Sequence, residues 1–239
     1  MSHPLIYFQK LYVINLPSRA DRRQEMDEQL NKLGLDLAHP LVHLFPAIRP
    51  EDEGGFPSIG ARGCFMSHLE VLRSAQARNL KRLLIVEDDL NFAADFNLRI
   101  IDLAERLAES DWGFFYGGYV VDADLEPPDR HGLVAVPPEV PVQTTHFLAV
   151  NGPEVIAACA DYLEAMLARP PGDPEGGPMH VDGAYSWFRR AHPELPTLLA
   201  VPELGYQRSS RTDVHDLRWF DRMPLAREAA AWLRQWRNA

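Results

Sequence analysis

Leu83-Leu84-Ile85-Val86-Glu87-Asp88-Asp89 is the stretch around which the rest of the chain can be ordered. Four apolar residues, two of them β-branched, give way at once to three carboxylates. An apolar run of that length reads as a strand buried on both faces, whose C-terminal end emerges into a polar cleft. Open α/β sheets bind their ligands beyond that end of the strands. Three consecutive acids repel one another unless something cationic sits among them, and a divalent metal held by hard oxygen ligands is the simplest candidate. Acids after a strand also cap helices or face water, so spacing alone leaves both readings open.

Working outward, the spacing predicts a first strand over 11–16, then a helix ending near Gly34 and opened by a capping box from Ser18 to Asp21. Its first turns carry Arg19, Arg22 and Arg23, an unfavourable place for cations unless an anion binds there. A strand over 41–45 and a Pro/Gly-rich loop over 49–60 lead to a helix over 60–79, with Ser67 and His68 one turn in. Neighbours on a helix point about 100° apart, so this pair does not read as a hydrolase dyad. Beyond the central strand come a helix over 95–108 and a strand over 112–116 ending at Gly117 and Gly118, where a ligand can lie on the backbone. Strands at 133–136, 146–150 and 197–201, a helix over 153–168, a loop over 169–178, and a helix with Asp182 at or beside its N-cap complete the pattern. The class is α/β, with a mostly parallel central sheet flanked by helices.

The 239 residues carry a formal charge of −10, which argues against a nucleic-acid binder, since phosphate recognition needs a basic stripe that this composition does not show. An anionic small molecule must then be met by local arginines. Cys64 and Cys159, far apart in apolar segments, read as two free thiols in a reducing compartment, with the cytosol as the default. No stretch is apolar for long enough to be a signal peptide's core or a membrane span. The only lysines are Lys10, Lys32 and Lys81, a bias pointing to a GC-rich bacterial genome and so to a surface-glycan acceptor. Residues 217–239 combine large aromatics with five arginines and two acids, as either a docked helix or an amphipathic helix on a membrane surface.

The chain lacks G-x-G-x-x-G, Walker A, H-E-x-x-H and G-x-S-x-G patterns. Carboxylates at a strand end, clustered arginines and an isolated acid at a helix start remain, parts that suit group transfer from a nucleotide diphosphate. Val13-Ile14-Asn15-Leu16 with Arg19 and Arg22, then Gly63-Cys64-Phe65-Met66-Ser67-His68-Leu69, then Leu84 to Asp89, then Gln207 with Thr212-Asp213-Val214, resemble in that order glycosyltransferase family 25. That family contains bacterial lipooligosaccharide and collagen galactosyltransferases, and the resemblance spans about 11–216.

The resemblance implies a GT-A fold over 1–216 with 217–239 as an appendage, a nucleotide-sugar donor (most often UDP-galactose), and inversion at the anomeric carbon. It also implies Mn²⁺ or Mg²⁺, with Asp89 as a ligand, Glu87 facing the ribose or the metal, and His215 as a further candidate. Asn15, Arg19, Arg22, Ser67, His68, Asp88, Gln207 and Arg211 would surround the donor. Asp182, standing alone after a loop able to close, would be the general base toward a glycan acceptor hydroxyl. A lipid-linked acceptor would bring the protein to the inner membrane through 217–239. Thr212 departs from the family's usual serine, and Phe65-Met66 from smaller residues. Two other functions fit the same parts, donor binding without turnover and hydrolysis of nucleotide sugars.

Overall fold

A computed structural model describes residues 3–208. In chain order the elements are β1 (Lys10–Asn15), α1 (Ala20–Asn31), β2 (Val42–Pro46), α2 (Ile59–Ala77), β3 (Arg82–Glu87), β4 (Leu90–Phe92) and α3 (Phe96–Glu109). Then follow β5 (Phe114–Val120), β6 (Leu133–Val136), β7 (Gln143–Asn151), α4 (Pro153–Ala168), α5 (Val181–Ala191), β8 (Thr197–Ala200) and β9 (Gly205–Gln207). Seven strands form one sheet in the order β2-β1-β3-β7-β5-β8-β6. β1, β2, β3, β5 and β8 point one way and β6 and β7 the other, so the sheet is mostly parallel in direction, as expected.

β3 is hydrogen-bonded on both edges, to β1 and β7. Its side chains alternate between two cores, as the period of a strand requires. Leu83 and Ile85 face a cluster with α2, α4 and α5, whereas Leu84 and Val86 face one with α1 and α3. All four are fully buried, and each contributes roughly 1.5–3 kcal/mol. Pairing with β1 runs through Glu87 to Asp88 N, which donates to Ile14 O at 3.2 Å, and the chain then turns away with Asp88 and Asp89 buried. The parallel register sets Ile14 against Glu87, which leaves Asn15 beside the acids that follow.

Several expected details differ. α1 begins at Ala20 with no side-chain cap, and Asp21, rather than closing a capping box with Ser18, accepts bonds from Arg19 Nε at 3.0 Å and Nη2 at 2.8 Å. A charge-assisted pair two residues apart outcompetes a neutral cap there. β5 runs on through Gly117 and Gly118 to Val120 instead of stopping at them. A Cβ on Gly117 would meet the Phe147 ring at 2.8 Å, and one on Gly118 would collide with His146 and lie 2.5 Å from Gly205 O. The glycines therefore admit neighbouring strands, not a ligand. Helix α5 has His180 at its N-cap, which puts Asp182 one residue further in, within the first turn. The short β4–β9 pair was not readable in the sequence. Cys64 and Cys159 are both free, as expected. No helix among the described residues is long and apolar enough to cross a membrane. Arg211, Thr212, His215 and the appendage 217–239 lie outside the described residues.

Candidate active site

Beyond the C-terminal ends of β1 and β3 lies a cavity of about 220 Å³, whose wall includes Ile14, Ile48, Gly63, Cys64, Glu87 and Asp88. Its far side is the first turn of α2, which presses against the segment after β2. A Cβ on Gly63 would lie 2.5 Å from Ile48 O, so only glycine permits the approach. Ser67 clamps it, donating to Gly63 O at 2.6 Å and accepting from Ile48 N at 2.8 Å. Ser67, expected around the donor, thus lines the cavity while both its hydrogen-bonding roles are spent on shaping the wall.

Arg22 is a cation among the strand-end acids. Buried on α1, it donates from Nη1 to Asp88 Oδ1 at 2.9 Å and sits 3.4 Å from Asp89 Oδ2. Asn15 Nδ2 donates to the other Asp88 oxygen at 2.7 Å. Gln207, delivered by β9, lies 3.2 Å from Asp89 Oδ2. Compensation is incomplete, because burial, then Glu87 and Asp88, push the Asp89 carboxyl up to about 7 against the pull of Arg22 and Gln207. Burial likewise raises Asp88, with Arg22 and Asn15 opposing. Glu87 goes the other way. Burial, the largest single influence, acts upward on it, but His68, the Thr145 hydroxyl at 2.7 Å and His146 together hold it below its ordinary value. Oxygen donors with excess negative charge are the kind a hard divalent cation takes, but among the described residues the three acids do not form a set whose ligand atoms all lie within 4.8 Å of one another.

His68 is wholly buried behind this wall, its Nδ1 3.1 Å from Tyr185 Oη and its Nε2 3.7 Å from Glu87 Oε1. Arg19 stands apart from the cavity wall, in a partly exposed pair with Asp21. Asp182 is half-buried, and its carboxylate accepts from Gly183 N at 2.7 Å and from Thr144 N at 3.1 Å. Thr144 has φ +67°, a conformation β-branched residues rarely adopt. Burial and then, in turn, Glu87, Asp182, Asp89 and Asp88 push the Cys64 thiol well above its ordinary range, so the fields of all four acids meet at one cavity-wall atom. Asp182, 93 residues beyond Asp89 in sequence, is not part of the cavity wall, and its geometric link to the strand-end acids runs through adjacent residues of β7, Thr144 N holding Asp182 and the Thr145 hydroxyl holding Glu87.

Sequence reasoning missed Arg208, Thr145 and Tyr185. Arg208 bonds Asp89 O through its backbone N at 2.7 Å and Asp88 O through Nη2 at 2.6 Å, and pairs with Glu25 at 3.1 Å. Adjacency to Gln207 was the only signal for it, and Thr145 and Tyr185 carried none.

The profile of glycosyltransferase family 25 (LPS biosynthesis protein) matches residues 8–132. Procollagen galactosyltransferase 1-B of Xenopus laevis is 29% identical over 162 residues, 60% of this chain and 25% of that protein. Inactive glycosyltransferase 25 family member 3 of Homo sapiens is 30% identical over 131 residues, 47% of this chain and 22% of that protein. The chain spans about a quarter of the length of the curated relatives it matches. A solved glycosyltransferase involved in the glycosylation of the major capsid of PBCV-1 is 10% identical, with a TM-score of 0.43 over 85% of this chain and 93% of that one. Since the matched residues make up more than half of the chain and carry the strand-end acids, Asn15, Arg22 and the Gly63–Leu69 helix motif, the chain belongs to glycosyltransferase family 25.

Proposed function

We propose that this protein transfers a sugar, galactose from UDP-galactose, to a hydroxyl of a glycan acceptor, with inversion at the anomeric carbon. The observation that supports it is a cavity at the ends of parallel strands, walled by Glu87 and Asp88, with the separate Asp182 held beside Glu87 through the adjacent Thr144 and Thr145. In this reading Asp182 takes the acceptor's hydroxyl proton while the acceptor oxygen bonds to the anomeric carbon and the sugar's bond to the nucleoside diphosphate breaks. The two backbone N–H bonds to Asp182 fix the direction of its carboxylate. Asn15 and Arg22 hold Asp88 rigid, and Gln207 steadies Asp89. Asp89 with Glu87 would hold Mn²⁺ or Mg²⁺, which when bound would neutralise charge on the diphosphate leaving group.

The acceptor in this reading is a cell-surface lipooligosaccharide, met at the cytoplasmic face of the inner membrane. Deleting 217–239 should then abolish binding to anionic liposomes while leaving the thermal transition of the remainder unchanged.

The decisive experiment incubates the protein with a panel of UDP-sugars and Mn²⁺, with and without acceptor glycans. Transfer from UDP-galactose is expected, and hydrolysis alone or binding without turnover would overturn the reading. The second outcome is a real competitor, because one 30% identical relative is named inactive. By calorimetry, Asp89→Asn should bind Mn²⁺ and UDP more weakly than wild type. Equal binding would remove Asp89 from the metal's ligands.

A further inference from the structure

We propose that Cys64, His68 and Glu87 form a binding site for a divalent transition metal of borderline softness, Zn²⁺ or Co²⁺, in which Glu87 is used differently from the hard-cation role it shares with Asp89. Cys64 and His68 are four residues apart on α2 and so share a helix face, which meets the end of β3 at Glu87. The thiol sulfur, a ring nitrogen and a carboxylate oxygen all lie within 4.8 Å of one another. Tetrahedral zinc, with bonds of about 2.0–2.3 Å, separates its ligand atoms by about 3.3–3.7 Å. His68 Nε2 and Glu87 Oε1 are already 3.7 Å apart.

The second observation is independent of that clustering. His68 has no exposed surface, yet its Nε2 has no hydrogen-bond partner among the described residues. A buried polar nitrogen left that way is costly unless something fills the place. The opposite nitrogen faces Tyr185 Oη at 3.1 Å, a contact that either tautomer can make, so a metal at Nε2 can displace the proton that otherwise faces Glu87 while Nδ1–H donates to Tyr185. Thr145 Oγ1 donates to Glu87 Oε1 at 2.7 Å and orients that carboxylate. Two of the three ligands thus carry the outer partners that metal ligands need.

Thiolate with imidazole selects Zn²⁺ or Co²⁺ over Mg²⁺. Cys64 and Glu87 both line the cavity, so the fourth coordination position opens onto it, as in three-ligand sites that keep a water. On binding, the thiol proton passes to solvent as the metal–sulfur bond forms.

The test is a Co²⁺ titration of the reduced, chelator-stripped full chain, followed by absorption. A thiolate-to-cobalt charge-transfer band should saturate at one equivalent and disappear when Zn²⁺ is added. Cys64→Ser should abolish it, and His68→Gln should weaken Co²⁺ binding by about tenfold or more. Asp89→Asn should keep it, as should Cys159→Ser, because the Cys159 thiol lies on α4 and is buried in the core. Absence of the band in wild type at millimolar Co²⁺, its survival in Cys64→Ser, or its loss in Asp89→Asn would overturn the proposal. Absorption needs no turnover, so failure of the transferase reading leaves this result standing.

Discussion

The two acidic regions that meet at Thr144 and Thr145 are built in opposite ways. At the end of β3, Asp88 and Asp89 are buried and braced by side chains from α1, β1 and β9, with Arg22 as the central cation. At the start of α5, Asp182 is half-buried and takes its two bonds from backbone N–H groups. One strand edge serves both, since Thr144 N holds Asp182 and the Thr145 hydroxyl holds Glu87. A carboxylate locked among a cation and amides is fixed in place, even though burial raises it, Asp89 to about 7. One held at two points by the main chain, with part of its surface open, can receive a proton. The difference teaches that acids of one site need not share a role, because their surroundings divide the work.

The sharpest break of that comparison is Asp182→Asn. Asparagine keeps the acceptor oxygen but cannot take the proton, so kcat should fall by about 10² or more, while UDP-sugar binding and Tm stay near wild type. Near-normal turnover would return Asp182 to a structural role. Next in size is Arg22→Met. It strands two buried acids and should destabilise the metal-free protein by about 3–5 kcal/mol in urea unfolding, with part of the loss recovered in Mn²⁺. No change would mean that the acids hold themselves apart without Arg22. Thr145→Val removes the hydroxyl donor to Glu87 and should cost about 1–3 kcal/mol. An unaltered urea midpoint would show that the Thr145–Glu87 bond does not join the two regions. The smallest effect belongs to Arg19→Ala, whose pair with the exposed Asp21 is screened by solvent, so the urea midpoint should stay near wild type. Its donor KM should rise less than that of Arg22→Ala, and an equal rise would bring Arg19 into the donor site.

Much of the frame was legible in the linear chain. The four-residue apolar run ending in acids is the buried strand it was read to be, and 133–136 and 153–168 stand at the expected boundaries. Those elements follow from local rules. A strand buried on both faces must be apolar at every position, and Pro153 at the first turn of α4 has no N–H to lose. The presence of Asn15, Arg22, Asp88, Asp89 and Gln207 together was legible only through the ordered motifs of a family resemblance. Their separations of up to 192 residues carry no periodic signal.

Composition, patterning and the strand-end acids determined the α/β class, the central strand and the place where a polar site opens, because each rests on the period of one element and the solvation of its own residues. Tertiary structure alone decided what neutralises those acids, since Arg22 reaches them only when α1 packs beside β3, and Gln207 and Arg208 only when β9 pairs with β4. It likewise decided that Gly117 and Gly118 admit Phe147 and His146 instead of a ligand, and that His68 turns its unpartnered nitrogen toward Glu87. A side chain's charge and donors are written in the sequence, but its partner is whichever group the packing of distant elements brings within about 3 Å.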